Sequence, residues 1–308
     1  MTVLDFAIIL DAIIRGPTVQ NAGMVFDMTL TDIDILLVGH IAADVVAGGF
    51  RLGGTVAYAA ATAHAFGLRV GVVTSARAAD PLLEEVRRFA QVVNIPAEHS
   101  TTFENIYTDD GRVQYWRAKA NDLTAEHIPV AWRGTPLIHL APLADEIHAS
   151  VLHVIPAEGR VMVTPQGWMR RRGADDRVQF KPWFDEQVLQ RVDLLVFSVE
   201  DVAAAPEMTD QYTTAARRSV VTDGKTGGTL YHGDGTIAYA AVPVQAIDPT
   251  GAGDIFALSL FALWARLHDL KQAIRGAAYL AAQSTTRPGL AGTPTSDEIA
   301  QAITYAGQ

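Results

Sequence analysis

From Asp34 onward the chain alternates short apolar runs with longer helical patterns. Ile35–Gly39, Arg69–Thr74, Leu137–Leu140, Val161–Thr164, Leu194–Ser198 and Val220–Thr222 read as short buried strands. Val56–Phe66, Pro81–Val92, Ala144–Val154, Glu186–Arg191 and Tyr212–Arg218 read as the helices between them. Thr229–His232 and Ile237–Ala241 flank Gly233-Asp234-Gly235 as a hairpin, and three helical stretches follow. Near-continuous apolar strands separated by helices predict an α/β fold with a mostly parallel central sheet and helices on both faces. One segment breaks this rhythm. Phe103–Thr108 and Val113–Arg117 alternate in polarity about Asp109-Asp110-Gly111, which predicts an antiparallel hairpin with one wet face. Joined by Val45–Leu52 it would make a small β lid, drawn from about 44–52 and 102–118 of a domain spanning 32–308. Residues 1–31 precede the first clear strand and are left as an extension or an extra element.

Composition narrows the class. In 308 residues, 49% are apolar and 19% charged, which supports a large core. A net charge of −10 argues against a nucleic-acid or anionic-membrane surface. No apolar run approaches the roughly 20 residues of a membrane helix, and the N-terminus lacks the basic start and small-residue cleavage site of a signal peptide. The chain contains no cysteine, which removes thiol catalysis and cysteine metal sites and fits a reducing, cytoplasmic setting. Its nine histidines show no zinc-binding spacing.

The chemistry concentrates in Asp248-Pro249-Thr250-Gly251-Ala252-Gly253-Asp254, which opens an apolar helical stretch from Ile255 to Leu267. A glycine turn at a helix start points unpaired N–H groups outward, where the helix dipole adds positive charge. Such a place attracts phosphate. A carboxylate in the same turn would repel a phosphate that merely bound there. It makes sense where Asp254 takes a proton from a hydroxyl while the N–H groups of Gly251, Ala252 and Gly253 hold charge on a transferred phosphoryl group. A tight turn with Asp254 as a plain helix cap is the alternative.

This string resembles, at every position, the D-[TP]-T-G-A-G-D motif of the ribokinase-like (PfkB-type) carbohydrate kinases, and the resemblance extends over roughly 35–295. Further correspondences follow from it. Val38-Gly39-His40-Ile41-Ala42-Ala43-Asp44 is similar to the family's G-x-x-x-x-D, which makes Asp44 a substrate carboxylate. Gly53 and Gly54 match its Gly-Gly pair, where backbone approaches the sugar. Four residues on, where ribokinases often have Asn, stands Tyr58, as in inositol-kinase-like members; this tilts the expected acceptor towards a polyol or sugar. Ser198-Val199-Glu200-Asp201 aligns with N-x-x-E, so Glu200 or Asp201 would organise Mg²⁺, although a serine N-cap with first-turn acids explains the string as well. Val221–Gly228 resembles the nucleotide loop V-T-x-G-x-x-G, which implies ATP contacts at Thr222, Gly224 and Gly227; a plain turn entering a hairpin is the alternative. Gln283 lies near the adenine-lining position, and Gly289 in the loop after that helix. Carbonyls of Asp248 and Thr250 leave room for a monovalent cation such as K⁺. The run Arg170-Arg171-Arg172 reads as a solvated basic loop, with reach to a phosphate as the other option.

The resemblance therefore implies a phosphotransferase that passes a phosphoryl group from Mg·ATP to a hydroxyl of a small sugar or polyol, as a monomer or homodimer. A nucleoside kinase of the same family and a silent sugar or nucleotide sensor are the competing readings. A nicotinamide oxidoreductase is set aside, because no G-x-G-x-x-G follows the first strand.

Overall fold

Apolar β-branched runs with no polar face can be stable only between two layers of helices, and the chain builds that arrangement. The computed structural model describes residues 30–108, 111–233 and 235–307. The expectation for 1–31 thus falls almost wholly outside the described residues, as do Asp109, Asp110 and Asp234 of the two turns.

The first layer of order is set by β1 (Ile35–Val38), β2 (Ala42–Val46), β3 (Gly49–Gly53), α1 (Thr55–Ala65), β4 (Val70–Arg77), α2 (Pro81–Arg87) and β5 (Gln91–Ala97). Then come β6 (Thr102–Thr108), β7 (Gly111–Ala118), β8 (Leu137–Leu140), β9 (Arg160–Val163), β10 (Arg170–Arg172) and β11 (Val178–Phe180). The last part holds α3 (Glu186–Arg191), β12 (Leu194–Ser198), α4 (Met208–Ala215), β13 (Arg218–Asp223), β14 (Gly227–His232), β15 (Gly235–Ala240), α5 (Ala252–Leu267), α6 (Leu270–Ser284) and α7 (Ser296–Ala306). Nine strands form the central sheet in the order β15-β14-β13-β12-β9-β8-β1-β4-β5. It is parallel from β5 to β13 and ends in the antiparallel pairs of β14 and β15. The fold is the ribokinase-like α/β arrangement that the sequence implied.

A second sheet, β3-β2-β6-β7, takes in the two segments expected to form the lid. It is larger than expected, because β10 and β11 pair with each other and dock on β7: Trp116 N–H donates to the Asp176 carbonyl at 2.8 Å, and Tyr115 bridges to Arg177.

Three helical expectations change. The Pro81–Val92 pattern contains a helix only to Arg87, and Gln91 starts β5, which pairs with β4 from Gly71↔Gln91 onward. The helix expected over Ala144–Val154 is replaced by a 3₁₀ stretch, Ala149–Val154. Buried Glu146 accounts for this: its carboxylate takes the N–H groups of His40 (2.8 Å), Leu143 (3.0 Å) and Ala144 (2.7 Å). Charge-assisted bonds of this kind outcompete a helical turn and tie the segment to the end of β1. The third helix lies at Met208–Ala215 instead of Tyr212–Arg218, since Arg218 begins β13.

His139 on β8 is fully buried; one ring nitrogen meets the Thr164 hydroxyl at 3.0 Å and the other, Nδ1, has no partner. Burial pushes its pKa down to about 3. The unfolded chain would bind this proton below about pH 6.5 and the folded chain would not, so this site makes stability fall as pH drops from about 6.5 towards 3, at up to roughly 1.4 kcal/mol per pH unit. Urea unfolding at stepped pH should therefore show a shallower acid loss in His139→Gln than in the wild type. Parallel curves would remove His139 from that role.

Candidate active site

Two helix N-termini meet in the site. α1 is capped by Gly54 (φ 89°) and α5 by Gly251 (φ 79°), and neither has a side-chain cap. Both glycines are demanded by their surroundings. A Cβ on Gly54 would stand 3.0 Å from the His40 carbonyl oxygen, and one on Gly251 would stand 2.3 Å from the Tyr58 ring. The two ends are linked by a hydrogen bond between Thr55, first residue of α1, and the Asp254 carboxyl in the first turn of α5.

In the glycine turn the donors divide. The N–H of Ala252 donates to the Pro249 carbonyl at 3.1 Å, and that of Thr250 to Asp248 Oδ1 at 2.9 Å. Among the described residues the N–H groups of Gly251, Gly253 and Asp254 have no acceptor. The open donors are thus Gly251, Gly253 and Asp254 itself, while the Ala252 N–H expected among them is engaged. Space beside Gly253 is open, with nothing within 4 Å of a Cβ placed there.

Asp254 is partly screened from solvent. Burial pushes its pKa up to about 6, against the pull of the Thr55 hydrogen bond and of the Arg170 charge, with Asp201 adding a further upward push. A carboxyl tuned near neutrality, beside unpaired amides at a helix start, can accept a proton and face an anion.

Asp248 closes the turn from below. Its carboxylate accepts from Thr250 N–H and, at 3.0 Å, from Gly289 N–H. Burial raises its pKa, but these bonds, the Thr250 hydroxyl and the Arg51 charge outweigh that and hold it below the usual carboxylate range. The main-chain carbonyls of Asp248 and Thr250 accept no backbone hydrogen bond among the described residues.

Tyr58 occupies a different place from the one expected. It is 3% exposed, with its ring under Gly251 and its hydroxyl 3.8 Å from a Cβ placed on Gly289. A side chain so covered supports the turn and does not present itself to an acceptor. α1 is buried on nearly all sides, so the position four residues after Gly54 points into protein. Burial, followed by the charges of Asp254, Asp44 and Asp248, pushes its pKa up to about 12 against Arg51. These four charges therefore act on one phenol.

Asp44 lies on β2, paired with Arg51 on β3 and Phe103 on β6, and its Oδ2 would sit 2.3 Å from a Cβ on Gly53. Gly53 is thus fixed by the carboxylate that the resemblance assigns to substrate. On the other side, Ser198 and Thr222 are neighbours at the carboxyl ends of β12 and β13. Asp201 accepts from Ser198 N–H at 2.8 Å and from the Gln166 amide at 2.7 Å. Its charge reaches Asp254, whereas Glu200 is exposed. Gly224 is exposed with φ 46° and open space around it. Gly227 is buried, and a Cβ there would stand 2.0 Å from the Tyr239 carbonyl oxygen; the hairpin, as in the plain-turn alternative, requires it. Gln283 is half-buried near the end of α6, its carbonyl accepting from Thr286.

Three residues gained weight only here: Thr55, Arg51 and Arg170. Arg171 and Arg172 are exposed as a solvated loop would be, but Arg170 turns inward.

This architecture has relatives. Residues 186–297 match the model of the pfkB family carbohydrate kinases. This likeness to the pfkB family covers 112 of the 308 residues. Over 278 residues it is 25% identical to a cytidine kinase of Thermococcus kodakarensis, covering 79% of this chain and 92% of that one. A shorter match, 28% over 117 residues, joins it to an ATP-dependent ribose-1-phosphate kinase of Halopiger xanaduensis, of which it covers 40%. Among solved structures, a pyrophosphate-dependent kinase of the ribokinase family complexed with a pyrophosphate analog and myo-inositol superposes with a TM-score of 0.72 at 20% identity, over 87% of this chain and 100% of the other. The ribokinase of Thermotoga maritima gives 0.70 at 18% identity, over 89% and 100%. The pfkB match spans Asp201, the β13–β14 turn, the glycine turn and Gly289.

The Tyr58–Gly251 packing generates a test. Gly251→Ala should cost about 2–3 kcal/mol, from the left-handed φ and the clash with the ring. In a urea double-mutant cycle with Tyr58→Ala, the two losses should be less than additive by about 1 kcal/mol or more. Strict additivity would show that the ring does not hold the turn.

Proposed function

We propose that this protein is an ATP-dependent phosphotransferase acting on a hydroxyl of a small sugar-like acceptor, either a free sugar or polyol or the sugar of a nucleoside. The observation that carries this reading is the Asp254 carboxyl, held by Thr55 and raised to about 6, within a turn whose Gly251, Gly253 and Asp254 N–H groups are open.

In the mechanism, Asp44 and the Gly53-Gly54 backbone hold the acceptor against the lid. Thr55 fixes the direction of the Asp254 carboxylate. As the acceptor oxygen bonds to the γ-phosphorus, its proton passes to Asp254, and the bond from phosphorus to the β-phosphate oxygen breaks, leaving ADP. The open amides of Gly251 and Gly253, aided by the α5 dipole, face the charge on the transferred group. Thr222 and Gly224 border the nucleotide phosphates. Mg²⁺, held mainly by phosphates and water, would supply charge neutralisation there, and Asp201 would organise that water. The free carbonyls of Asp248 and Thr250 suit a monovalent cation such as K⁺.

The tilt towards a polyol or sugar rested on Tyr58 and on a small lid, and the burial of Tyr58 removes the first of these arguments. The similarity to a cytidine kinase supports the nucleoside acceptor, and the likeness to an inositol-binding neighbour concerns the fold. A panel of cytidine, ribose, ribose 1-phosphate and myo-inositol, read by ADP release and product NMR, separates these acceptors. Binding of any of them without ADP release would favour the sensor reading instead.

With the accepted substrate, Asp254→Asn should lower kcat by about 10²–10⁴-fold with the fold intact. Since the base works deprotonated, wild-type kcat/KM should fall about tenfold per pH unit below about 6. Near-normal turnover of the Asn variant, or no acid limb near that pH, would remove Asp254 from the role.

A further inference from the structure

Arg170 heads a row of three arginines, and it alone is half-buried. Its Nη1 reaches the Leu143 carbonyl at 3.4 Å, and its guanidinium lies 5.8 Å from the Phe103 ring centroid. Both contacts locate it beside the residues assigned to the acceptor. Phe103 is the register partner of Asp44, and Leu143 Cδ2 would stand 3.1 Å from a Cβ on Gly54. Thr55, next in the chain, bonds Asp254. Arg170 thus sits between the strand that carries Asp44 and the start of α1, whose Thr55 bonds Asp254. Among the described groups whose charges act on Asp254, it is the cation; Asp201 is the acid.

The hairpin that bears it is strapped to the lid. Asp176 accepts from Trp116 N–H through its carbonyl, and its carboxylate pairs with Arg172 at 2.7 Å and Arg117 at 3.5 Å. Arg172 also donates to the Arg117 carbonyl at 3.3 Å, and Arg177 lies 5.9 Å from the Tyr115 ring centroid. These contacts tie the hairpin that begins with Arg170 to β7.

We propose that Arg170 is a further catalytic residue, which contacts the transferred phosphoryl group on its acceptor side and offsets its negative charge while Asp254 takes the proton. This rests on the kinase reading above. The site brings Asp44, Asp201, Asp248 and Asp254 to a reaction that adds phosphate charge, and a guanidinium supplies donors in a fork matched to phosphoryl oxygens. The bond that forms is acceptor oxygen to phosphorus, the bond that breaks is phosphorus to the β-phosphate oxygen, and Arg170 exchanges no proton.

The test compares wild type with Arg170→Met, Arg170→Lys and Arg170→Gly, and with Arg171→Ala as an exposed control on the same strand. Arg170→Met should lower kcat about 10²-fold or more while the acceptor KM stays within about threefold, and Lys should fall between. The acid limb of kcat/KM should move to higher pH in the Met variant, because Thr55, Asp201 and Tyr58 are then left around Asp254 without that cation. Added guanidinium ion should restore part of the Gly variant's kcat, and Arg171→Ala should turn over as wild type does. A rise in acceptor KM at unchanged kcat would make Arg170 an acceptor-holding residue and overturn the proposal. So would a Met variant that loses kcat only in proportion to its folded fraction, without guanidinium rescue. Wild-type turnover with an unimpaired Arg170→Met overturns this inference alone, whereas no transfer by the wild type to any acceptor overturns the kinase reading with it.

Discussion

Asp248 accepts N–H groups from Thr250 and from Gly289, residues on two loops that β-sheet pairing does not join. The second bond spans 41 residues of sequence. It is reinforced by main-chain bonds from Ile247 and Asp248 to the Thr285 carbonyl, at 2.7 and 3.0 Å. Above this tie the chain must turn left-handed at Gly251, and below that turn lies the Tyr58 ring. The turn is therefore fixed from three sides before any ligand arrives. Preorganisation is what makes such donors effective, since aligned amides need no rearrangement as charge develops.

The same packing creates an opposing demand at Asp254. Screening from water disfavours the charged carboxylate and raises its pKa to about 6, which lowers the fraction ready to accept a proton. The Thr55 hydrogen bond and the Arg170 charge pull the other way, and so does the dipole of α5, whose first turn contains Asp254. The outcome is a carboxylate poised just below neutrality, as the proposed base requires: the ionised form still prevails at physiological pH.

What could be read in the sequence followed from local rules. The parallel strands were legible as apolar runs, and the Asp248–Asp254 string was legible because its residue types serve one conformation and one chemistry. The errors came where tertiary partners decide. Nothing in Phe89-Ala90-Gln91 marks the change from helix to strand, so the helical pattern ran on through a segment that β4 claims as β5. Glu146 looked like a helical residue until three backbone N–H groups were found to converge on it. Tyr58 sits where the pattern placed it, on α1, but its direction depends on Gly251, nearly two hundred residues away in sequence. Arg170 was hidden by its neighbours: three consecutive arginines look alike as a string, and only β10 pairing and the Leu143 contact turn the first one inward.

The topology explains why these distant pieces meet. In an open parallel sheet, ligand sites form outside the carboxyl ends of the strands. β1 leads to Asp44 and the start of α1, while β12 and β13 lead to Asp201 and Gly224. The start of α5 joins the two sets, because Asp254 bonds Thr55 from the acceptor side and feels Asp201 from the other. Two glycine-capped helix starts converging on one carboxyl is an arrangement of low intrinsic stability, since like ends of helix dipoles repel. It becomes favourable when negative charge lies between them. The Asp254 carboxylate supplies part of that charge, and an incoming phosphoryl group would supply more. The geometry thus favours an anion between the two helix starts over an empty site.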